Sequence, residues 1–240
     1  MTTAPGLRFS GDAVLAGRPL FSGLDVTLAA GRWTCLLGVS GVGKTTILRM
    51  IAGLATGADL RGTILADDGT PLEGRVAYMA QSDLLLPWAT VRENVVLGAR
   101  LRGEAVDWAR AERLIGEVGL EAHAGKKPHA LSGGQRQRVA LARTLMEDRA
   151  VILLDEPFSA LDARTRAEMQ ELAHRLLAGR TVLLVTHDPG EAARLADTIL
   201  VMTEAGVTAV DPPSGAAPRA VDDPDYLTAQ GRLLRLLRAA

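Results

Sequence analysis

The sequence predicts an α/β fold. A mostly parallel sheet is covered on both faces, with an antiparallel β part at the amino end and a helical insertion. Three observations predict it. Apolar runs such as "WTCLLG", "VILLD", "TVLLV" and "TILVM" are uninterrupted, as strands buried on both faces of a parallel sheet are. They alternate with helical stretches such as "ARTRAEMQELAHRLLAG", the pattern that builds parallel crossover units. From about Ser82 to Asp148 the strand pattern gives way to helical periodicity.

Each element has its own signal. The first thirty residues alternate apolar and polar ("GLRFSG", "LDVTLAAG"), which suits short strands of a partly exposed antiparallel sheet. "WTCLLG" is a buried strand, and "KTTILRMIAGL" a helix with Ile47, Met50, Ile51 and Leu54 on one face. "GTILADDG" and "RVAYMAQ" read as strands beside turn residues, "TVRENVVLGARLRG" and "VDWARAERLIGEVGL" as helices. The expectation is one domain over 1–240, with a helical part at about 82–148 and a tail at about 205–240 after the last strand. "DPPSGAAP" breaks that tail before an arginine-rich amphipathic helix, whose Leu233, Leu234, Leu236 and Leu237 are expected to pack on the domain.

Bulk properties narrow the function. The 240 residues are 48% hydrophobic and 23% charged, an ordinary globular balance. A net charge of -1 leaves no basic footprint for nucleic acid. The longest apolar runs are far too short to span a bilayer, and no charged-then-apolar leader opens the chain. The single Cys35 sits in an apolar strand and reads as a buried thiol. A soluble cytoplasmic protein is expected. Of 27 basic residues, lysine occurs only at 44, 126 and 127, so a lysine here overrides a preference for arginine.

Lys44 stands in "GVSGVGKTT", which matches G-x-x-x-x-G-K-[ST] between a predicted strand and helix. Gly38, Ser40, Gly41 and Gly43 let backbone amides curl around phosphate oxygens, and the helix start adds partial positive charge. Lys44 would reach the β- and γ-phosphates, with Thr46 beside it, while the Thr45 hydroxyl would help to hold Mg²⁺. "VILLDEP" ends an apolar strand in two carboxylates at the sheet edge where ligands bind. Asp155 would orient Mg²⁺, and Glu156 would act as general base toward an attacking water. In "VTHDPGE", Asp188, Pro189 and Glu191 fit N-cap, N1 and N3 of a helix. That sets His187 at the same edge, where it would sense the γ-phosphate. "LSGGQ" pairs Ser132 and Gln135 at capping-box spacing, yet opens the helix with two glycines. Each weakens a helix by roughly 1 kcal/mol, so bare backbone is wanted there, as at a second anion site.

Together these residues resemble the ATP-binding subunit of an ABC transporter. "GVSGVGKTT" resembles that family's Walker A loop, "VILLDEP" its Walker B strand, "LSGGQ" its signature motif and "SALD" (Ser159 to Asp162) its D-loop. Gln81 is similar to its Q-loop glutamine and His187 to its switch histidine. The resemblance implies a P-loop NTPase core that binds ATP and Mg²⁺, with metal contacts from Thr45, Gln81 and Asp155. Catalytic roles fall to Glu156, His187 and Gln81. It also implies a head-to-tail pair of copies, in which Ser132, Gly133, Gly134 and Gln135 of one chain close on ATP held by Lys44 of the other. The family usually stacks adenine on an aromatic residue. Here that position falls near Val14 or Leu15, with Phe9 or Phe21 as stand-ins only in another register.

The stretch "SDLLLPWATVRENVVLGARLRG" resembles the nitrate, sulfonate and taurine importer branch, and the thiamine-pyrimidine precursor branch is similar. The resemblance implies an ATPase on the cytoplasmic face of the inner membrane, peripheral to it. Its partners would be a membrane permease subunit and, indirectly, a periplasmic solute-binding protein. An exporter or lipoprotein-release ATPase shares every nucleotide motif and stands as the alternative. A soluble ABC ATPase is a further one. "DLLLPW" after Gln81 reads either as a buried elbow or as a docking groove for the permease.

Overall fold

Within Trp33–Gly38, Cys35 and Leu37 join one apolar core and Leu36 another, because successive side chains of a strand face opposite ways. The same division runs through the neighbouring strands. Ile152, Leu154, Val182 and Leu184 lie on one side, and Val151, Leu153, Leu183 and Val185 on the other. The central sheet is therefore buried on both faces, as the uninterrupted apolar runs predict.

A computed structural model describes residues 4–239. The strands are β1 (Leu7–Leu15), β2 (Arg18–Leu28), β3 (Trp33–Gly38), β4 (Ala58–Ala66), β5 (Val76–Met79), β6 (Val151–Asp155), β7 (Thr181–Thr186), β8 (Thr198–Thr203) and β9 (Gly206–Val210). The helices are α1 (Lys44–Ile51), α2 (Val91–Val95), α3 (Leu97–Leu101), α4 (Trp108–Glu117), α5 (Gly133–Met146), α6 (Ala163–Leu176), α7 (Pro189–Leu195) and α8 (Pro224–Ala239). One sheet runs β5-β6-β7-β3-β8-β9, parallel except for β9. The other is antiparallel, β2-β1-β4. Helices α5 to α8 cover one face of the large sheet through residues such as Leu141, Met169, Leu195 and Leu233. Ile47 and Leu48 of α1 cover the other, together with Phe9 and Leu28 of the antiparallel sheet. Among the described residues no helix is long and apolar enough to cross a membrane.

Five local expectations need correction. The amino-terminal strands are not short: β1 and β2 form one long hairpin, closed where Leu15 pairs Arg18. Its two-residue turn puts Ala16 at φ 50° and Gly17 at φ 78°, the double positive φ of a type I′ turn. Alanine rarely adopts that conformation, so Ala-Gly gave no turn signal. Leu54 is not on the face of α1 with Ile47 and Ile51. The helix stops at Ile51, Gly53 turns to φ 68°, and Leu54 is exposed. Gly53 N–H donates to Met50 C=O at 3.0 Å and Leu54 N–H to Arg49 C=O at 2.8 Å, a Schellman ending that glycine permits. The stretch from Thr90 to Gly103 is two helices rather than one, broken at Val96 (φ −92°, ψ 8°), where adjacent valines precede Gly98 and helix propensity is weak. The segment after β8 adds strand β9 before the irregular tail. In α8, Leu233 is buried and Leu237 half-buried against the core, but Leu234 and Leu236 are exposed. At about 100° per residue, four leucines so spaced cannot all face one way.

Candidate functional site

The loop between β3 and α1 is shaped by its glycines. A methyl group on Gly38 would lie 2.7 Å from the Met202 carbonyl oxygen of β8, so the strand end leaves no room for a side chain. Gly41 and Gly43 sit at φ 85° and 111°, where other residues are strained. Gly43 is the N-cap of α1 and supplies no side-chain acceptor to the first amides, which stay available to an anion. The Lys44 ammonium folds across the loop and donates to the carbonyls of Gly38 and Val39, at 2.8 Å each. Burial lowers its pKa, while Glu156 and Asp155 act the other way. A cleft of about 350 Å³ opens here. Ser40, Gly41, Gly43, Lys44, Thr45 and Thr46 line it, together with Gln81 and Glu156.

Parallel strand order carries the carboxylates to the same edge. The Thr45 hydroxyl donates to Asp155 Oδ1 at 2.9 Å, and the Tyr78 hydroxyl to Asp155 Oδ2 at 2.8 Å. Glu156, one residue beyond β6, adopts φ 45°, a left-handed conformation that costs a non-glycine residue on the order of 1 kcal/mol or more. Its backbone is fixed on both sides: the N–H donates to Val185 C=O at 2.9 Å, and the C=O accepts from Ser159 Oγ at 3.0 Å. The side chain accepts through one oxygen, Oε2, from Gln81 Nε2 at 3.2 Å and from His187 Nδ1 at 2.9 Å. This contact uses the tautomer with the proton on Nδ1, which donates to the Glu156 carboxylate. A neutral ring so oriented keeps Nε2 as an acceptor, and a bond to phosphate needs the ring protonated or turned. Asp188 caps α7 by accepting from Gly190 N–H at 2.7 Å. Glu191 does not close a capping box. It lies buried and accepts from the Thr186 hydroxyl at 2.7 Å, a bond across the turn between β7 and α7 rather than to the N-cap amide.

Ser132 and Gln135 do form the reciprocal box: Ser132 Oγ accepts from Gln135 N–H at 3.2 Å, and Gln135 Oε1 from Ser132 N–H at 2.9 Å. The two glycines differ. A methyl on Gly134 would come 2.4 Å from Thr165 Cγ2 of α6, whereas one on Gly133 meets nothing nearer than 3.9 Å. A side chain at Gly134 would force Thr165 to shift, whereas Gly133 faces open space. None of Ser132, Gly133, Gly134 and Gln135 lines the cleft around Lys44.

Next to Gln81 the surface becomes apolar. Leu84, Trp88 and Leu101 are 62%, 69% and 78% exposed, so "DLLLPW" is not a buried elbow at its tryptophan. Beneath them lies a residue the sequence reading missed. Asn94 is fully buried; it accepts from Leu86 N–H at 2.8 Å and donates to the carbonyls of Ala89 and Thr90 at 3.2 and 2.9 Å. Arg143 of α5 donates to the carbonyls of Asp83 and Leu84 at 2.6 and 2.9 Å. Gln137 Nε2 reaches the Gln81 carbonyl at 3.4 Å. The segment is tied to the helix that Ser132 begins.

Leu15 and Leu20 line the cleft. Phe9 and Phe21 cannot stand in for an aromatic there: both are buried and packed edge-on against each other, centroids 5.9 Å apart at 86°. The cleft lining thus offers Leu15 and Leu20 and no aromatic ring among the described residues.

A glycine-shaped anion loop, its lysine and a threonine-bonded strand-end aspartate define a P-loop nucleotide-binding protein. The ABC transporter family profile matches residues 21–159, and the chain belongs to that family. It is 45% identical over 228 residues to an uncharacterized ABC transporter ATP-binding protein of Haemophilus influenzae, covering 92% of this chain and 93% of that one. It is 44% identical over 238 residues to the aliphatic sulfonates import ATP-binding protein SsuB 3 of Nocardia farcinica, covering 98% and 92%. The SsuB protein of Escherichia coli, named in the same way, is 49% identical over 186 residues, covering 75% and 70%.

Proposed function

We propose that the chain, read as one ATPase domain, is the ATP-hydrolysing subunit of a membrane importer for a small organic anion of the aliphatic sulfonate kind. Two supports carry the reading: relatives named for sulfonate import, and the convergence of Lys44, Thr45, Asp155, Glu156, Gln81 and His187 beside an exposed apolar surface. Taurine is itself an aliphatic sulfonate; nitrate and thiamine-precursor solutes stand as the alternatives.

Gly38, Ser40, Gly41, Gly43, Lys44, Thr45 and Thr46 bind the phosphates through backbone amides, hydroxyls and one ammonium. The Thr45 hydroxyl against the Asp155 carboxylate is a hard-oxygen pair, a donor set that suits Mg²⁺ completed by phosphate and water. Thr45, Asp155 and Gln81 would hold it, and it would neutralise charge on the β- and γ-phosphates. Glu156 takes the proton of the attacking water. With Oε2 engaged by Gln81 and His187, its Oε1 has no protein donor among the described residues. Ser132, Gly133, Gly134 and Gln135 act on nucleotide held by a second copy, paired head to tail. Leu84, Trp88 and Leu101 receive the permease, which places the chain at the inner face of the membrane, with the solute-binding protein engaged indirectly on the other side. The test is uptake of a labelled alkanesulfonate into proteoliposomes holding this chain, its permease and binding protein. ATP-driven uptake that Lys44→Ala abolishes is expected. ATP hydrolysis without sulfonate uptake would overturn the solute assignment.

A further inference from the structure

Asp155 is almost wholly buried, yet both its oxygens are engaged, and the two donors come from different parts of the chain. Thr45 reaches Oδ1 from the phosphate loop, and Tyr78 reaches Oδ2 from β5, at 2.9 and 2.8 Å. β5 lies beside β6 in parallel register, with Tyr78 opposite Leu153 and Met79 opposite Leu154. Three residues beyond Tyr78, Gln81 donates to Glu156 Oε2. One strand end thus supplies a donor to each of two consecutive carboxylates.

We propose that Tyr78 is a positioning residue for the metal, acting through Asp155; the inference rests on the reading that Thr45 and Asp155 hold Mg²⁺. A threonine hydroxyl that turns a lone pair to a cation still donates its proton to Oδ1. That bond alone leaves the carboxylate free to swing about its Cβ–Cγ bond. The phenol fixes the other oxygen and stops that rotation. Groups that orient metal-binding side chains typically change metal affinity or activity by about 10–100-fold when removed. Tyr78 stays within the strand, while Gln81 begins the segment that runs to the apolar surface. The hold on Asp155 is therefore anchored in the sheet, and the hold on Glu156 is anchored to a segment a partner can move.

Tyr78→Phe deletes the hydroxyl and keeps the ring. Three measurements test the idea: ATP binding by calorimetry with EDTA, the same with Mg²⁺, and the Mg²⁺ concentration for half-maximal hydrolysis. The expected result is metal-free affinity within about twofold of wild type, with the affinity gained from Mg²⁺ reduced about tenfold and the Mg²⁺ midpoint raised about tenfold. In an Asp155→Asn background the tyrosine substitution should add nothing. An unchanged Mg²⁺ response with an intact melting curve would overturn the role. So would an equal loss of metal-free binding, or a full tenfold effect in the Asp155→Asn background. A wild-type chain whose ATP affinity ignores Mg²⁺ would instead remove the underlying reading of Thr45 and Asp155.

Discussion

The nucleotide edge and the surface around Trp88 are built on opposite terms. At the edge, polar groups are already partnered inside the chain: Lys44 with two carbonyls, Asp155 with two hydroxyls, Glu156 with an amide and an imidazole. Around Trp88 the polar groups, chiefly Asn94 and Arg143, are spent underneath, and large apolar side chains face outward. One region is arranged to receive charge, the other to lose water. Gln81 belongs to both, since its side chain touches Glu156 and its carbonyl is held by Gln137 of α5. A push on one region therefore has a bonded route into the other.

The largest effect is expected at the edge. Glu156→Gln should slow hydrolysis by roughly 10²–10⁴-fold while ATP binding survives, the usual scale for loss of a general base. A rate within a few-fold of wild type would move the base elsewhere and leave the strained backbone of Glu156 unexplained.

A pH effect comes next. Burial, helped by Asp188 and Glu156 and opposed by the Thr186 hydrogen bond, raises the Glu191 carboxyl to about 7 from an ordinary 4.5. Between those values the folded chain keeps a proton that the unfolded chain has released. Stability contributed by this group is full below about 4.5 and falls as pH rises through about 7, by at most about 3 kcal/mol. Glu191→Gln removes that slope. Urea midpoints at pH 5 and pH 8 should show the variant gaining on wild type at the higher pH; a constant gap would mean Glu191 is ionised in the fold.

The Trp88 surface and its scaffold should separate cleanly. Trp88→Ala should leave folding and ATP hydrolysis intact but weaken assembly with detergent-solubilised permease by about 2 kcal/mol. Asn94→Ala leaves buried backbone groups unpaired and should lower the stability of the chain itself by about 1–3 kcal/mol. If Trp88→Ala drops the melting temperature by several degrees yet assembles normally, the side chain is core and the docking reading fails.

The smallest effect separates the two glycines. Gly133→Ala improves helix propensity by up to about 1 kcal/mol in open space, so the isolated chain should be slightly more stable. Gly134→Ala meets Thr165 and should cancel or reverse that gain, since overpacking costs about 1–3 kcal/mol. Melting curves decide it, and equal shifts would deny the distinction.

Those glycines also mark the limit of reading sequence alone. The phosphate loop, the two strand-end carboxylates and the Ser132–Gln135 box are local patterns, and local spacing sufficed to find them. Gly134's contact with Thr165, the Tyr78 bond to Asp155 and the bonds Asn94 makes under "LLLPW" join residues whose proximity the fold creates. No periodicity encodes them. The left-handed backbone at Glu156 was equally hidden, because nothing about a glutamate after a strand signals a positive φ. The amino-terminal hairpin was half legible: alternation revealed strands, but Ala16 in its turn concealed that they were one long pair.

Ser132 to Gln135 lie outside the cleft of Lys44, and on the proposed reading they would complete that edge on a second copy. The molar mass of Glu156→Gln, measured by light scattering on a size-exclusion column with and without ATP and Mg²⁺, tests it most directly. With ATP and Mg²⁺ the account predicts twice the chain mass, falling to a single chain when nucleotide is removed. A variant that binds ATP and stays a single chain at high concentration would contradict it.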